Sequence, residues 1–363
     1  MFAKKRILIC PLNWGLGHAT RCIPIIRLLL QKNAEVIIAA DGRPFELLKK
    51  EFPDLEFIVL KGYNIYYPAG GSMVLKIIFS LPKIFLDIYK EHTTLKKIVT
   101  NKKIDVIISD NRFGLWNKKI KSIFITHQLM IKSPFAEKLL HRINLFFIKK
   151  YDECWVPDHS GTNNLSGDLS HKCALPENSF FVGSLSRFNR QDSSPFQGFG
   201  MTASYEMMAI ISGPEPQRSI FEKILLEQLL KTNPKALVVC GKTELEQKTE
   251  TQGNIEIINH LKGDEMQQAI LNSKIIIARS GYSTIMDLAA LGKKAIFVPT
   301  PGQTEQEYLA EYLMSKKAAY YMLQEQFNLS TALKNSENYK GFEAIETGCE
   351  LEERINKLFS TFV

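Results

Sequence analysis

Short apolar runs alternate with longer segments in which apolar residues recur at helical spacing, and this alternation fills most of the chain. In the first half it predicts strands at residues 6–10, 35–40, 56–60, 104–109, 122–126, 153–156 and 180–182. It predicts helices at residues 19–31, 43–51 and 135–149. Buried strands that alternate with amphipathic helices indicate a parallel sheet wrapped by right-handed crossovers.

The pattern stops and then restarts in the second half. Residues 186–206 are polar, rich in Ser, Gly and Asn, and have no periodic apolar face, which is typical of a connection between domains. Strands follow at residues 207–211, 236–240, 255–258 and 275–278, with helices at residues 219–231, 264–271 and 350–359. We therefore predict an α/β protein with two doubly wound parallel-sheet domains, residues 1–185 and 207–348, a linker at 186–206, and a C-terminal helix within 349–363.

Polar groups gather after two apolar runs in the segment 278–309. In open parallel sheets, ligands bind at the carboxyl ends of the strands, where helix N-termini offer unpaired backbone N–H groups. Hydroxyls and backbone donors that suit a phosphate come from Ser280, Gly281, Ser283 and Thr284. Carboxylates and amides that suit sugar hydroxyls come from Asp287, Gln303, Gln306 and Glu307. The same residue types also serve as helix caps and solvated loop residues, so both interpretations stay open here.

A second candidate site follows the first predicted strand, in the sequence NWGLGH of residues 13–18. Gly15 and Gly17 let the backbone approach a ligand, but the dinucleotide pattern G-x-G-x-x-G fails because no third glycine follows. His18 either caps the next helix or acts as a proton acceptor, since imidazole titrates near neutral pH. Asp110 ends the predicted strand VIISD, where it either orients His18 or forms a local turn.

Two stretches resemble the signatures of one enzyme family. The run RSGYSTIMDLAALG, followed by FVP and EQEY, resembles the donor-binding signature of MurG-like UDP-glycosyltransferases of the GT-B fold. The string GLGHATR resembles the early G-x-G-H loop of the same family. The resemblance extends over nearly the whole chain and implies two Rossmann-like domains that face each other across a cleft. It also implies that the last helix crosses back onto the first domain.

The resemblance implies an inverting, metal-independent transfer of a sugar from a UDP-sugar, with UDP-GlcNAc as one candidate, to a hydroxyl acceptor. His18 would be the base, assisted by Asp110, while His127 and Gln128 would lie on the acceptor side. The implied nucleotide-sugar contacts are Gly15, Gly17, Arg187, Ser212, Gly213, Arg279, Ser280, Gly281, Tyr282, Ser283, Thr284, Asp287, Gln303, Gln306 and Glu307. Among these, residues 280–283 would face the diphosphate, Asp287 the ribose, and Gln306 with Glu307 the donor sugar.

The chain departs from the family pattern at several positions. Asp287 stands where the family usually has Glu, and Glu307 where it usually has Gln, so the donor sugar is not implied by the resemblance. The family's phosphate loop is replaced by SGPEPQR, residues 212–218, in which two prolines remove backbone donors. Because there is no DxD motif, helix N-termini and arginine are expected to neutralise the leaving diphosphate, with no metal and no cofactor besides the UDP-sugar substrate.

Composition and charge narrow the possible partners. The 363 residues carry six scattered cysteines without a CxxC pair, which is typical of reduced cytosolic thiols. No signal peptide and no transmembrane run is predicted. Residues 1–190 hold 29 Lys and Arg against 16 Asp and Glu, whereas the remainder holds 17 against 22. The basic half is expected to meet something anionic; no nucleic-acid motif is present, which leaves an anionic lipid surface as the candidate.

Residues 73–103 combine dense apolar positions with lysines. Such a stretch either buries its apolar face in the core or lies on an anionic membrane. We expect a cytoplasmic protein that binds the inner face of the plasma membrane and a lipid-linked acceptor. The alternatives are a PseG-like nucleotide-sugar hydrolase, a UDP-sugar epimerase of the same fold, and a non-catalytic nucleotide-sugar-binding protein at the membrane.

Overall fold

The computed structural model describes residues 4–62, 73–132, 137–188, 204–242, 246–345 and 348–360, with residues 73–81 described by their backbone alone. These residues form two compact units. Unit 1 holds residues 4–62, 73–132, 137–185 and 348–360, and unit 2 holds residues 186–188, 204–242 and 246–345. Most of the predicted linker, residues 189–203, lies outside the described residues.

Unit 1 is built on a parallel sheet of seven strands. The strands are β1 Arg6–Pro11, β2 Glu35–Ala40, β3 Glu56–Val59, β4 Val106–Asp110, β5 Lys121–Ile125, β6 Glu153–Val156 and β7 Ser179–Phe181. They lie in the order β3-β2-β1-β4-β5-β6-β7, which is the order of a doubly wound sheet. Strands β1, β2 and β4 are buried on both faces, and this explains their nearly continuous apolar sequences.

Helices connect these strands and cover the sheet of unit 1. They are α1 Leu16–Gln31, α2 Gly42–Glu51, α3 Met73–Lys102, α4 Glu137–Ile148 and α5 Asp168–His171. The lysine-rich stretch forms the single helix α3, with Pro82 inside it. Leu95 of α3 belongs to the buried cluster that contains Leu8 and Ile107, so one face of this helix is part of the core.

Unit 2 repeats this architecture, except that its seven-stranded sheet has an antiparallel strand at one edge. Its strands are β8 Tyr205–Ile210, β9 Ala236–Val239, β10 Thr249–Gln252, β11 Ile255–Ile258, β12 Ser273–Ala278, β13 Ala295–Phe297 and β14 Tyr320–Tyr321. Their order is β10-β11-β9-β8-β12-β13-β14, and only the β10–β11 pair is antiparallel among the described strands of this sheet. The helices are α6 Gln217–Thr232, α7 Gly263–Leu271, α8 Tyr282–Ala290, α9 Thr304–Ser315 and α10 Leu329–Ser336.

The last helix, α11 Cys349–Ser360, packs on unit 1. Arg354 donates a hydrogen bond to Glu153 of β6 over 2.9 Å and lies above the ring of Phe180, 3.4 Å from its centroid. Glu350 lies 2.9 Å from Nδ1 of His159. The chain therefore begins and ends in the same unit within the described residues.

In both sheets, the order in which successive strands are added reverses at the strand that comes first in the chain. In unit 1, β1 lies between β2 and β4; in unit 2, β8 lies between β9 and β12. Ligands of open α/β sheets bind outside the carboxyl ends of such a strand pair. In unit 1, His18 lies in the helix after β1, and Asp110 is the last residue of β4. In unit 2, the loop with Gly213 follows β8, and the loop with Gly281 follows β12. The fold thus brings the sequence-predicted residues to the two switch points.

Candidate active site

The loop after β1 turns at Gly15, whose φ of +102° is a conformation that residues with a side chain rarely adopt. Gly15 is also the N-cap of α1, which begins at Leu16. The helix therefore begins three residues earlier than the predicted residue 19, because the chain turns at Gly15, and of the two interpretations of His18 the one as N-cap is wrong. His18 and Gly17 lie in the first turn, and the His18 side chain is 14% exposed.

His18 and Asp110 lie together at the end of the sheet. Asp110 is fully buried, and its Oδ1 atom is 3.1 Å from Nδ1 of His18. Asp110 ends β4, and His18 lies in the first turn of the helix that follows the adjacent strand β1, which pairs with β4 up to Pro11 and Asp110. The expected juxtaposition of an imidazole and a carboxylate is thus present in the structure.

Arg21, a residue that the sequence analysis missed, connects this pair to His127. Its side chain is 2% exposed, its Nε donates to Asp110 Oδ2 over 2.6 Å, and its Nη2 donates to Asp110 Oδ1. Nη2 also lies 2.8 Å from His18 Nδ1, and Nη1 lies 3.0 Å from His127 Nδ1. The one available signal was the spacing of His18 and Arg21, because residues three apart share a helix face.

The balance of burial and neighbouring charges in this cluster lowers the pKa values of both Asp110 and His18. Burial acts to raise the pKa of Asp110, but the charges of Arg21 and His18 and their hydrogen bonds lower it from 3.8 to about 2. Burial lowers the pKa of His18 below its usual value; Asp110 opposes this shift, and the Arg21 charge adds to it. Near neutral pH the site therefore holds a carboxylate, a guanidinium and an uncharged His18 imidazole, which is the protonation state that a base requires.

Gln128, the other predicted acceptor-side residue, lies in the loop after β5. Its backbone N–H donates to Thr126 Oγ1 over 3.1 Å, and its backbone oxygen accepts from Asn144 of α4 over 2.7 Å. This loop also carries His127, so α4 holds the segment that follows β5 next to the Arg21 cluster.

In unit 2, α8 begins directly after the turn that was predicted to bind a diphosphate. Gly281 is its N-cap, and Tyr282, Ser283 and Thr284 form its first turn. Apart from Gly281 and its two neighbours in the chain, no described residue has an atom within 4 Å of the position that a Cβ of Gly281 would occupy, so the space beside this turn is open. The Ser280 hydroxyl points elsewhere, since it donates to Gln306 O over 2.7 Å.

Asp287 is buried, and both of its carboxylate oxygens accept hydrogen bonds within unit 2. Oδ1 accepts from the Ser186 hydroxyl over 2.8 Å, and Oδ2 accepts from Arg187 Nε over 3.2 Å. Burial raises the pKa of Asp287, while Arg187 opposes that shift. The structure therefore joins two predicted donor-site residues, Arg187 and Asp287, in a single ion pair.

Arg279 is 1% exposed and turned into unit 2. Its Nη1 donates to the carbonyls of Val298 and Pro299, and its Nη2 donates to Gln217 O and Gln324 Oε1 over 3.0 and 2.6 Å. Burial lowers the pKa of Arg279 to about 9. Because these acceptors are neutral, the positive charge of Arg279 stays uncompensated inside unit 2, on a residue two positions before Gly281.

The loop of Ser212 and Gly213 lies at the end of β8, and Gly213 has a φ of +109°. Glu215 in this loop accepts from Arg218 Nε over 2.6 Å and from the backbone N–H of Ser219 over 3.3 Å. Because a carboxylate of the chain already occupies the first turn of α6, the start of α6 is a poorer phosphate site than the start of α8.

Gln303, Gln306 and Glu307 surround the loop before α9. Gln303 is the N-cap of α9, and Gln306 Oε1 accepts from Thr300 N over 2.8 Å. Glu307 Oε1 accepts from Gly302 N over 2.9 Å. The Gln306 and Glu307 side chains thus hold the loop that follows β13, next to the loops that follow β8 and β12. Among the described residues there is no group of three or more His, Cys, Asp or Glu that could hold a metal ion.

Comparison with known proteins agrees with this architecture. Residues 208–348 match the glycosyltransferase family 28 C-terminal domain. The solved structure of MurG from Acinetobacter baumannii has a TM-score of 0.57 at 13% identity, over 98% of this chain and 99% of that chain. The spinosyn forosaminyltransferase SpnP has a TM-score of 0.63 at 13% identity, over 99% and 100%. The predicted GT-B fold is confirmed.

Sequence relatives show the class of this protein. The UDP-N-acetylglucosamine–N-acetylmuramyl-(pentapeptide) pyrophosphoryl-undecaprenol N-acetylglucosamine transferase of Histophilus somni is 37% identical over an alignment that covers 95% of this chain and 93% of that protein. A protein of Methanosarcina acetivorans named uncharacterized glycosyltransferase is 24% identical over an alignment that covers 85% of this chain and 81% of that protein. The chain belongs to glycosyltransferase family 28, the MurG-like family, and the predicted resemblance is confirmed.

Proposed function

We propose that the protein is an inverting, metal-independent glycosyltransferase that moves a sugar from a UDP-sugar to a hydroxyl group. The observation that carries this proposal is the His18–Asp110 pair, 3.1 Å apart at the switch point of unit 1, in a chain of the MurG-like family. UDP-GlcNAc is the candidate donor, because the relative from Histophilus somni is named for that substrate.

In the proposed reaction, Nε2 of His18 takes the proton of the acceptor hydroxyl. The hydroxyl oxygen then forms a bond to the anomeric carbon of the donor as the bond from that carbon to the diphosphate breaks. One displacement of this kind inverts the configuration at the anomeric carbon. Asp110 accepts from Nδ1 of the imidazolium that forms and so stabilises it. UDP leaves with the electron pair of the broken bond.

Unit 2 is proposed to bind the donor. The start of α8 offers backbone N–H groups and the positive end of a helix dipole, and the buried charge of Arg279 adds to both. These groups supply the stabilisation of the leaving diphosphate that a metal ion supplies in other transferases. We assign the ribose side to the Arg187–Asp287 pair as a unit, because Asp287 is already engaged by Arg187.

The test of this function is a panel of labelled nucleotide sugars, incubated with the protein with and without a lipid extract. The expected result is transfer from a UDP-sugar, with turnover reduced roughly 10²–10⁴-fold in His18→Ala and donor affinity largely kept. Release of free sugar at the same rate with and without the extract would point instead to a hydrolase. A full rate in His18→Ala would overturn the assignment of the base.

We further propose that the acceptor is lipid-linked and is reached from an anionic membrane surface. Helices α3 and α4 lie side by side, since the rings of Phe85 and Phe147 are 6.0 Å apart. They expose an apolar face of Phe85, Leu86, Tyr89, Leu139 and Phe146, which we call the α3/α4 face. Leu86 is 60% exposed and Tyr89 is 68% exposed. Contiguous exposed apolar residues of this kind mark an interaction surface.

Lysines surround the α3/α4 face. Lys83, Lys90 and Lys96 are exposed on α3, and Lys149 and Lys150 follow α4. Lys150 lies over the ring of Phe146, 4.6 Å from its centroid. Each lysine near an anionic surface contributes about 1 kcal/mol, and this contribution falls off within a Debye length of about 8 Å. Apolar residues ringed by cations fit a lipid surface with anionic headgroups.

Vesicle sedimentation tests this surface. Anionic vesicles should bind the protein, neutral vesicles should not, and salt at about 1 M should release it. Leu86→Glu with Tyr89→Glu should abolish binding, whereas the matched control Leu230→Glu, at a leucine 46% exposed in unit 2, should not. Replacing Lys83, Lys96 and Lys97 by Gln should weaken binding; Lys76 of the same helix is among the residues described by their backbone alone. Equal binding to both vesicle types, or to neither, contradicts the proposal.

No helix among the described residues is both long enough and apolar enough to span a membrane.

A further inference from the structure

Arg21 makes two forked contacts with the groups around it. One fork, Nε and Nη2, donates to the two oxygens of Asp110, and the other, Nη1 and Nη2, faces the Nδ1 atoms of His127 and His18. Its partners come from β4, from the loop after β5 and from α1 itself. Only the planar guanidinium has donors in this arrangement; a lysine ammonium is a single point charge.

The contacts of Arg21 restrict where the imidazole protons can be. A guanidinium nitrogen only donates, so a ring nitrogen that receives its hydrogen bond carries no proton. Nδ1 of His127 faces Arg21 in this way, which puts the His127 proton on Nε2. Nδ1 of His18 has two partners, Arg21 Nη2 at 2.8 Å and Asp110 Oδ1 at 3.1 Å.

Each of these two partners suits one neutral form of His18. With its proton on Nε2, the ring accepts from Arg21 at Nδ1. With its proton on Nδ1, the ring donates to Asp110, while Arg21 Nη2 gives up its bond to the ring and keeps its bond to Asp110 Oδ1, and Nε2 is free to accept. Without Arg21, Asp110 would be the one charged group at this nitrogen and would favour the doubly protonated ring. Within the described part of the chain, the titratable groups that face His18 are Asp110, Arg21 and His127, and the Cys22 thiol lies 3.8 Å from Asp110 Oδ2.

We propose that Arg21 is the positioning residue of this site: it holds His127 in the Nε2–H form and keeps His18 uncharged with both of its neutral forms accessible. The role of His18 as a base rests on the proposed function, whereas the protonation states concern the protein without substrate. Arg21 acts through the histidines and Asp110 and touches no reacting atom in this scheme.

Nitrogen NMR on the unmodified protein gives the first test. In protein labelled with ¹⁵N-histidine, two-bond correlations between ring nitrogens and ring carbon-bound protons show which nitrogen is protonated, and the loss of signals in His127→Gln and His18→Gln assigns them. The expected result near neutral pH is an unprotonated Nδ1 in His127. A proton on Nδ1 of His127 would overturn the proposal without any change to Arg21.

Titration of the His18 signal gives the second test. In the unmodified protein its midpoint should lie below 6.5, and Arg21→Met should move it upward by about 1–3 pH units, the range that an unopposed opposite charge produces. Arg21→Lys, which keeps the charge, should move it less. Adding Asp110→Asn to Arg21→Met should bring the midpoint down again and also relieves the unpaired carboxylate that threatens folding. A midpoint in Arg21→Met at or below that of the unmodified protein would refute the proposal.

These measurements need no substrate, so their failure removes the role of Arg21 and leaves the glycosyltransferase proposal standing. If transfer is absent while the NMR results hold, the proposed reaction is wrong and the protonation scheme remains. Where transfer is measurable, the acid limb of the kcat profile should move upward with the His18 midpoint in Arg21→Met. A purely structural arginine would lower kcat equally at every pH and leave the limb in place.

Discussion

Replacing Asp110 with Asn should lower the free energy of unfolding of unit 1 by about 3–5 kcal/mol, the cost of removing one partner of a buried ion pair. Asp110 is fully buried and accepts from Arg21 Nε and Nη2. The asparagine keeps the shape of the side chain but places an NH₂ group against the guanidinium. The pKa of Asp110 is lowered from 3.8 to about 2. This shift means that the folded protein favours the charged carboxylate over the protonated carboxyl by about 2 kcal/mol more than water does.

Urea unfolding followed by tryptophan fluorescence reports on the unfolding of unit 1, where Asp110 lies. Trp14, Trp116 and Trp155 are the three tryptophans of the chain, and all of them lie in unit 1. The control is Glu353→Gln on α11, which breaks an exposed pair with Lys357 at 2.7 Å and should leave the urea midpoint unchanged. A loss below about 1 kcal/mol in Asp110→Asn would show that the buried pair does not carry the stability assigned to it here.

Three further predictions concern acid stability, donor binding and metals. Because the pKa of Asp110 in the folded protein lies below 3.8, the contribution of its charge to stability is complete above that pH and is lost as the pH falls toward about 2. Urea midpoints measured across this pH range should therefore fall less steeply in Asp110→Asn than in the unmodified protein. Asp287→Ala should weaken UDP binding by about 1–3 kcal/mol, since it releases Arg187, and unchanged affinity by calorimetry in a folded variant would exclude this assignment. Chelators should leave the transfer rate unchanged; a rate that is lost with EDTA and restored by Mg²⁺ would contradict the metal-independent scheme.

The strands of both sheets could be predicted because a buried parallel strand is a short apolar run. Strand β11 has the predicted bounds, and β1 extends the prediction by one residue, Pro11. Strand β8 begins at Tyr205, inside the predicted linker, because pairing with β12 continues to that residue. Strands β10 and β14 were missed: β10 is fully exposed with the sequence TETQ, and β14 has two residues. Neither has enough apolar positions to form a pattern.

Site residues could be predicted where they follow or end a strand, because the strand pattern then gives their place in the fold. His18 and Asp110 follow or end adjacent parallel strands, so their proximity could be inferred from the strand pattern alone. Arg21 could not, because an arginine in a helix is usually read as part of the solvent face, and its burial depends on a partner 89 residues away. The position of Arg279 after β12 likewise did not reveal that its side chain turns inward to carbonyl oxygens.

The helix α11 has a consequence for synthesis on the ribosome. Unit 1 receives its last helix only after all of unit 2 has been translated, because residues 348–360 follow unit 2 in the chain. The hydrogen bond from Arg354 to Glu153 of β6 cannot form until Arg354, 201 positions later in the chain, has been added. Unit 2, whose described residues lie between 186 and 345, can complete its own sheet while the ribosome still holds α11. During translation, the N-terminal unit is therefore the second of the two to be finished.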